Sequence, residues 1–296
     1  MKAPLFEYVR ASSIGEVLDL LADHGEEAKL LAGGQSLVPT MNMRFAQPEV
    51  LVDLNHVAGL AGIELAGGRL RIGALTRHAE IIASELVAQH APLLAQAGPY
   101  IAHEAIRNRG TIGGSLATAD PASEWPACCV ALDARMHLRS RRGERQVAAE
   151  EFFQGVYETA IEPDELLVAV DVPAIGKCQH AAFSELARRK GDYAIVGLAA
   201  QGKVKKAGLL GRGEERFRTL RLSFFGVADR PLLARAAAAS LEDQPLTAAT
   251  LQIAQAALAE DLHTMDDLYT SAATKAHLAR VLLGRVLTAL YRGEKQ

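Results

Sequence analysis

Between Ser13 and His24 the apolar residues Ile14, Val17, Leu18 and Leu21 recur at the three-to-four spacing of one helix face. Ser13 and Glu16 supply a capping box and Gly25 a stop, so this spacing predicts a helix over Ser13–His24. The next apolar run, Ala28–Ala32, is too short for a helix and reads as a strand that enters Gly33-Gly34-Gln35-Ser36; Leu37–Met43 is helical in pattern. Val50–Leu54, after Pro48, predicts a second strand. Ile63–Leu65 and Leu70–Ile72 predict a hairpin around Ala66-Gly67-Gly68, and Thr76 is placed to cap a further helix.

The stretch from Pro92 to Arg107 is mostly helical in pattern, and the polar run Arg107-Asn108-Arg109-Gly110 leads to a second glycine pair in Thr111-Ile112-Gly113-Gly114-Ser115. Glu124–Leu132 predicts a helix, Arg135–Ser140 and Arg145–Ala148 a hairpin over the charged turn Arg141–Glu144, and Leu166–Val172 a strand that closes the region. Beyond Pro173 and Gly176 the pattern changes to longer strands, Ala181–Leu186, Ala194–Ala200 and Phe217–Phe225. Alanine-rich helices follow from Leu232, from Thr247 and over Ser271–Leu290. In the last of these Leu278, Val281, Leu282, Val286 and Leu290 share one face, a stripe for core packing. A domain boundary is expected near residue 175.

Composition narrows the function classes. At 296 residues, with 49% hydrophobic and 23% charged positions, the chain is globular and long enough for two or three subdomains. The 32 basic residues against 35 acidic ones lack the excess that binding to a phosphate backbone needs, so nucleic acid is not an expected partner. No run approaches a membrane span, and Met1–Glu7 has no apolar stretch after a basic one, so a cytoplasmic location is expected. Cys128, Cys129 and Cys178 offer no ligand ladder for an iron–sulfur cluster or structural zinc, and the nine His fall at no metal-binding spacing.

The two glycine pairs are the candidate chemistry. Gly33-Gly34-Gln35-Ser36 sits between a strand and a helix, where absent Cβ atoms let the backbone approach a ligand and helix N-terminal donors favour an anion such as phosphate. A plain tight turn accounts for the same local pattern. The segment Thr111–Glu124 combines two Gly and one Pro with hydroxyls at Thr111, Ser115, Thr118 and Ser123, which suits the lining of a long, partly phosphorylated ligand; a small-residue loop under a helix fits the spacing equally. Neither pair is a GxGxxG or a GxxxxGK[ST] motif, and Gly208–Gly213, among lysines and arginines, reads as a solvated hairpin loop.

Three segments, LLAGGQSLVPTMNMRFAQPEVLVDLN (residues 30–55), IRNRGTIGGSLATADPASEWPA (106–127) and ARRKGDYAIVGLA (187–199), carry a resemblance in order and spacing. The chain resembles, essentially end to end, the FAD-binding medium subunit of bacterial molybdenum hydroxylases, the family of xanthine dehydrogenase and aerobic carbon monoxide dehydrogenase. The resemblance implies an α+β fold: a p-cresol methylhydroxylase-type FAD-binding domain over residues 1–175, made of two α/β subdomains (about 1–55 and 56–175), plus a smaller C-terminal α+β domain over 176–296. It implies that Ala32, Gly33, Gly34, Gln35, Ser36 and Leu37, with Thr111, Ile112, Gly113, Gly114 and Ser115, hold the diphosphate and adjoining parts of FAD. Thr118, Asp120, Ser123 and Glu124 are expected along the ribityl or adenosine portion, Glu124 as a ribose-hydroxyl acceptor. Ile101 and Ala102 are expected beside the isoalloxazine, Leu166 and Leu167 near the adenine, and Asp192 and Tyr193 over the flavin ring. Ser184 departs from relatives that carry a Lys near the flavin.

The resemblance also implies partners. Substrate is oxidised at a molybdopterin centre in a large subunit, electrons cross two [2Fe–2S] clusters in a small subunit, and this chain passes them to an external acceptor, in a dimer of heterotrimers. Arg107-Asn108-Arg109 is open to two readings, a face toward the cluster subunit or a solvated, phosphate-steering run. A competing expectation is a self-contained flavin oxidoreductase on the same fold. That enzyme needs its own substrate base and often a His for covalent flavin, and His103 is the one His near either loop in sequence. A second competitor is a module that keeps the fold without redox function.

Overall fold

The computed structural model describes residues 2–206 and 214–293. The expected loop Gly208–Gly213 lies outside the described residues. The chain opens with β1 (Glu7–Arg10), α1 (Ile14–His24), β2 (Ala28–Leu31), α2 (Leu37–Asn42) and β3 (Val50–Asp53). These strands form a parallel sheet in the order β1-β3-β2. The α1 stripe, Val17, Leu18 and Leu21, packs with Ala28, Val50, Val52 and Leu54. Ser13 caps α1 through its hydroxyl, as expected, but the Glu16 carboxylate reaches back to the backbone and hydroxyl of Ser12 rather than Ser13. Sequence pattern missed β1 because an edge strand with mostly exposed residues has no apolar alternation to betray it.

The middle of the chain contains β4 (Ile63–Ala66), β5 (Arg69–Gly73), α3 (His78–Ala83), α4 (Glu85–His90), α5 (Pro92–Ala97), α6 (Glu104–Arg107), α7 (Ile112–Thr118) and α8 (Glu124–Ala131). It continues with β6 (Arg135–Ser140), β7 (Gly143–Ala148), α9 (Ala149–Phe152), β8 (Phe153–Gly155), β9 (Glu158–Thr159) and β10 (Leu166–Pro173). The main sheet is antiparallel in the order β4-β5-β10-β6-β7, so Leu166–Val172, which closes the region along the chain as expected, is the central strand of the sheet. Its helices bury Trp125, Leu93, Leu94 and Ile112 against it.

Three local expectations change here. Thr76 does not cap a helix: its hydroxyl accepts from the Gly62 N–H and donates to the Gly62 carbonyl, and α3 starts at His78 after Arg77, whose N–H donates to Glu80. The Pro92–Arg107 stretch is two short helices separated by a 3-10 turn over Gly98–Tyr100, because Pro99 has no N–H to continue the ladder and a Cβ at Gly98 would strike Ile82. The charged turn shrinks to Arg141-Arg142, since Ser140 pairs with Gly143.

The last third is β11 (Gln179–Leu186), β12 (Val196–Lys206), β13 (Glu215–Phe225), β14 (Leu232–Leu233), α10 (Arg235–Ser240), α11 (Ala248–Asp261) and α12 (Ala272–Arg292). Its antiparallel sheet runs β11-β12-β13-β14, and Leu232–Leu233 pairs with Phe224 and Ser223, so the expected helix begins only at Arg235. The α12 stripe packs inward through Leu282, Val286 and Leu290 and also through Ala279, Leu283 and Leu287, while Leu278 and Val281 are half-buried. Phe183 and Phe225, from the far side of this sheet, stack and join the core around Trp125, which fixes this body against α8.

Candidate functional site

A cleft of about 770 Å³ runs past the ends of β2, α7 and α8 and is bounded on another side by Gly191, Asp192 and Tyr193. Of the expected site residues all but Ile112 line it: Ala32–Leu37, Ile101, Ala102, Thr111, Gly113, Gly114, Ser115, Thr118, Asp120, Ser123, Glu124, Leu166, Leu167, Asp192 and Tyr193.

The first glycine loop is an unsatisfied donor surface. Where β2 ends, the Asn55 side chain donates to the Ala32 carbonyl at 2.9 Å and accepts from Arg77 at 2.6 Å, and Asp53 holds Asn55 in turn. Gly34 sits at φ +70°, the left-handed region that favours glycine. Gly33 is glycine for another reason: a Cβ there would collide with the Arg109 carbonyl and the Gly110 Cα, so the two glycine segments meet backbone to backbone. Among the described residues the N–H groups of Gly33, Gly34, Gln35, Ser36 and Leu37 have no protein acceptor. The Ser36 hydroxyl makes no cap to α2, and the Gln35 side chain folds onto the Gly33 carbonyl. Five consecutive free donors on a cavity wall form an anion-binding concavity that needs no lysine or arginine.

The second glycine pair, expected with the first to hold the diphosphate, is built differently. Gly113 and Gly114 lie inside α7, whose N-cap Thr111 accepts from the Gly114 N–H at 3.1 Å. The Ile112 N–H donates to Thr76, Gly113 to Ala74 and Ser115 to Thr111, so every amide of the first turn is engaged. Gly113 is glycine because a Cβ would lie 2.5 Å from the Ala74 Cβ. Ile112 is fully buried in the apolar core, which removes it from the cavity wall. What α7 offers the cleft is the Ser115 hydroxyl and a close-packed face, since the Thr118 hydroxyl donates back to Gly114 at 2.7 Å.

Beyond α7, Asp120 accepts from the Ala122 N–H at 2.9 Å and from the Tyr157 hydroxyl at 3.2 Å. Tyr193 stands beside the same carboxylate, and desolvation with the Asp120 charge pushes its pKa up to about 12 although the residue is largely exposed. Glu124, the first residue of α8, is only 7% exposed and has no side-chain partner among the described residues. Burial, aided by Asp120, pushes its carboxyl up to about 7 against the pull of its own backbone N–H. Glu185, on β11, is raised to about 8 by burial and by Glu124, and its Oε2 is buried without a partner.

Arg107, half-buried, donates to the Ile101 and Ala102 carbonyls at 2.9 and 2.8 Å, and Ala102 stands at φ +41° on the cavity wall, while Asn108 and Arg109 are exposed. The Arg109 carbonyl accepts from Arg77. At the cleft's other end Leu166 and Leu167 adjoin Glu162 and Glu165, where Arg145 grips Glu165 through two bonds of 2.6 and 2.7 Å. Ser184 does not line the cleft. Sequence reasoning missed Lys29, His78, Ile106, Glu162 and Glu165 as wall residues. His78, Glu162 and Glu165 sit in no glycine-rich or hydroxyl-rich stretch, and only the chain's return to the cleft brings them there.

A family model described as the FAD binding domain in molybdopterin dehydrogenase matches residues 4–175, and one described as the CO dehydrogenase flavoprotein C-terminal domain matches residues 181–290. The chain is 41% identical to the 6-hydroxypseudooxynicotine dehydrogenase complex subunit alpha of Paenarthrobacter nicotinovorans, over 99% of this chain and 97% of that one. It is 36% identical to the nicotine 6-hydroxylase medium subunit of the same organism, over 97% and 98%. A solved carbon monoxide dehydrogenase from Hydrogenophaga pseudoflava, lacking the Mo-pyranopterin moiety of its molybdenum cofactor, superimposes with a TM-score of 0.93 at 38% identity, covering 99% of each chain. The expectation of a self-contained oxidoreductase is overturned by these relatives, which are named as subunits of larger enzymes.

Proposed function

The chain belongs to the FAD-binding flavoprotein family of the molybdenum hydroxylases, and we propose on that premise that it is the FAD-carrying electron-transfer subunit of a heteromeric molybdenum hydroxylase. The observation that carries this reading is the row of five free N–H groups from Gly33 to Leu37 on the wall of a cleft large enough for a dinucleotide. When bound, FAD supplies the capacity to accept electrons singly and release them singly or in pairs.

The residues present fit that group. The Gly33–Leu37 amides and the Ser36 hydroxyl receive the diphosphate, and the Ala32 end of β2 is anchored by Asn55 so that the row keeps its curvature. Thr111, Gly113, Gly114 and Ser115 form the packed floor beside it, with Ile112 acting from the core. Thr118, Asp120, Ser123 and Glu124 line the ribityl or adenosine stretch, Leu166 and Leu167 the adenine end, and Ile101, Ala102, Asp192 and Tyr193 the isoalloxazine end.

In this reading residues 1–175 are the FAD domain, with subdomains of about 1–55 and 56–175, and residues 176–296 form the C-terminal domain. Electrons arrive from two [2Fe–2S] clusters in a small subunit, having left substrate at the molybdopterin of a large subunit, and depart to an external acceptor. The assembly is a cytoplasmic dimer of heterotrimers; no helix among the described residues is long and apolar enough to cross a membrane.

The test is to purify the chain alone and with its co-expressed subunits. Flavin absorbance near ~450 nm in the isolated chain, with flavin reduction by substrate only in the complex, is the expected result. A chain that takes up no FAD, or one that oxidises substrate without partners, overturns it.

A further inference from the structure

His78 is the imidazole that reaches the cleft wall among the described residues, and its hydrogen bonding fixes where its proton sits. It is the first residue of α3 and 5% exposed. The Trp125 indole Nε1–H, fully buried, donates to His78 Nδ1 at 2.9 Å. An indole nitrogen is a donor only, so Nδ1 must be an acceptor, and a ring with an unprotonated Nδ1 carries its one proton on Nε2. Burial, aided by the Arg77 and Arg107 charges, holds the ring neutral, with its pKa lowered to about 4.

The free edge of the ring faces the seam between the two glycine segments. His78 Nε2 and Cδ2 lie against Gly110, where a Cβ would sit 2.6 Å from Nε2, and Gly110 is itself the residue that Gly33 touches from the first loop. Nε2 makes no hydrogen bond to protein among the described residues, although the rest of the ring is packed and paired. The residue as a whole is buried and lines the cleft, so Nε2 is a side-chain donor left without a protein partner at the cleft wall, where a ligand oxygen can accept from it.

We propose that His78, held in its Nε2–H form by Trp125, donates a hydrogen bond to an acceptor oxygen of FAD beside Gly110. This rests on the FAD reading above. It makes the pair His78–Trp125 a built-in neutral donor, distinct in chemistry from the row of backbone amides across Gly110.

The full-length chain, stripped of flavin and titrated with FAD, tests it. His78→Gln keeps an acceptor for Trp125 and a donor for the ligand and should bind FAD within about twofold of wild type, whereas His78→Met, with neither, should bind about five- to tenfold more weakly. Nitrogen-15 spectra of labelled histidine should show the Nε2–H form of His78 from pH 6 to 9 in the wild type, and a mixture of forms in Trp125→Phe. Should His78→Met fail to fold, Trp125→Phe still decides: it should weaken FAD binding in the His78 background and not further in the His78→Gln background. Equal FAD affinity in Met and Gln variants, or an Nδ1–H ring in the wild type, overturns the proposal while leaving the FAD reading intact. A wild-type chain that binds no FAD overturns the FAD reading and this proposal with it.

Discussion

Gly33-Gly34-Gln35-Ser36 and Gly113-Gly114-Ser115 are nearly the same sequence twice, and the fold uses them in opposite ways. In the first, the amides from Gly33 to Leu37 are left without protein acceptors and Gly34 takes a left-handed conformation. In the second, every amide of the α7 first turn is paired, and the glycine serves to let the helix lie on Ala74. The lesson is that a glycine pair specifies closeness of approach, and the element that approaches can be a ligand or the protein's own backbone. Gly33 belongs to both classes, since it opens the donor row and also touches the backbone that precedes α7.

The comparison is broken most forcefully at their seam. Gly33→Ala drives a Cβ into the Arg109 carbonyl, and neither backbone can yield cheaply. Opening the seam costs about 3 kcal/mol, and FAD affinity should fall roughly a hundredfold, read as flavin retained after desalting. Unchanged flavin content would show that the two segments separate freely.

A second difference lies downstream of α7, where Glu124 is buried and unpaired. Its pKa is raised from 4.5 to about 7, so below pH 4.5 the carboxyl is protonated in folded and unfolded chains alike. As pH rises from 4.5 toward 7 the unfolded chain releases that proton while the folded chain keeps it, so the flavin-free fold loses stability across that window, up to about 3 kcal/mol above pH 7. Glu124→Gln should therefore melt higher than wild type at pH 8 and alike near pH 4, by calorimetry on the flavin-free chain. A constant difference between the two pH values would mean that the carboxyl titrates alike in the folded and unfolded chains.

Gly113→Ala sharpens the contrast from the packing side. The added Cβ meets Ala74 at 2.5 Å, so stability should fall by about 2 kcal/mol. FAD affinity of the folded fraction should change far less than in Gly33→Ala, a comparison of denaturant midpoints with flavin titrations. The smallest effect is expected at the cap: Thr111→Ala removes the acceptor for the Gly114 N–H and about 1 kcal/mol of stability, and Thr111→Ser restores it.

The helix over residues 14–24, the β6–β7 hairpin and the two glycine segments were legible because each carries a local signal: period, cap or turn residue. β1 was not, since an exposed edge strand has no pattern of its own, and Leu232–Leu233 was read as helix because two leucines before an alanine run look alike in either state. At the site, most residues of the two segments were found in advance through resemblance. Ile112 was misplaced with them because adjacent residues of a helix face different ways, and linear proximity to a glycine pair does not say which way.

Sequence by itself determined the hydroxyls and the glycine positions that permit close approach, because these are properties of residue types and of the chain over four or five positions. Only the tertiary structure decided which amides stay free, since that depends on whether Thr76 and Ala74 arrive to accept from α7 and on nothing arriving to accept from Gly33–Leu37. It also decided that His78, Trp125 and Gly110 meet, from three elements with no common pattern. The physical reason is that hydrogen-bond satisfaction and burial are sums over neighbours distant in the chain, and no local period encodes them.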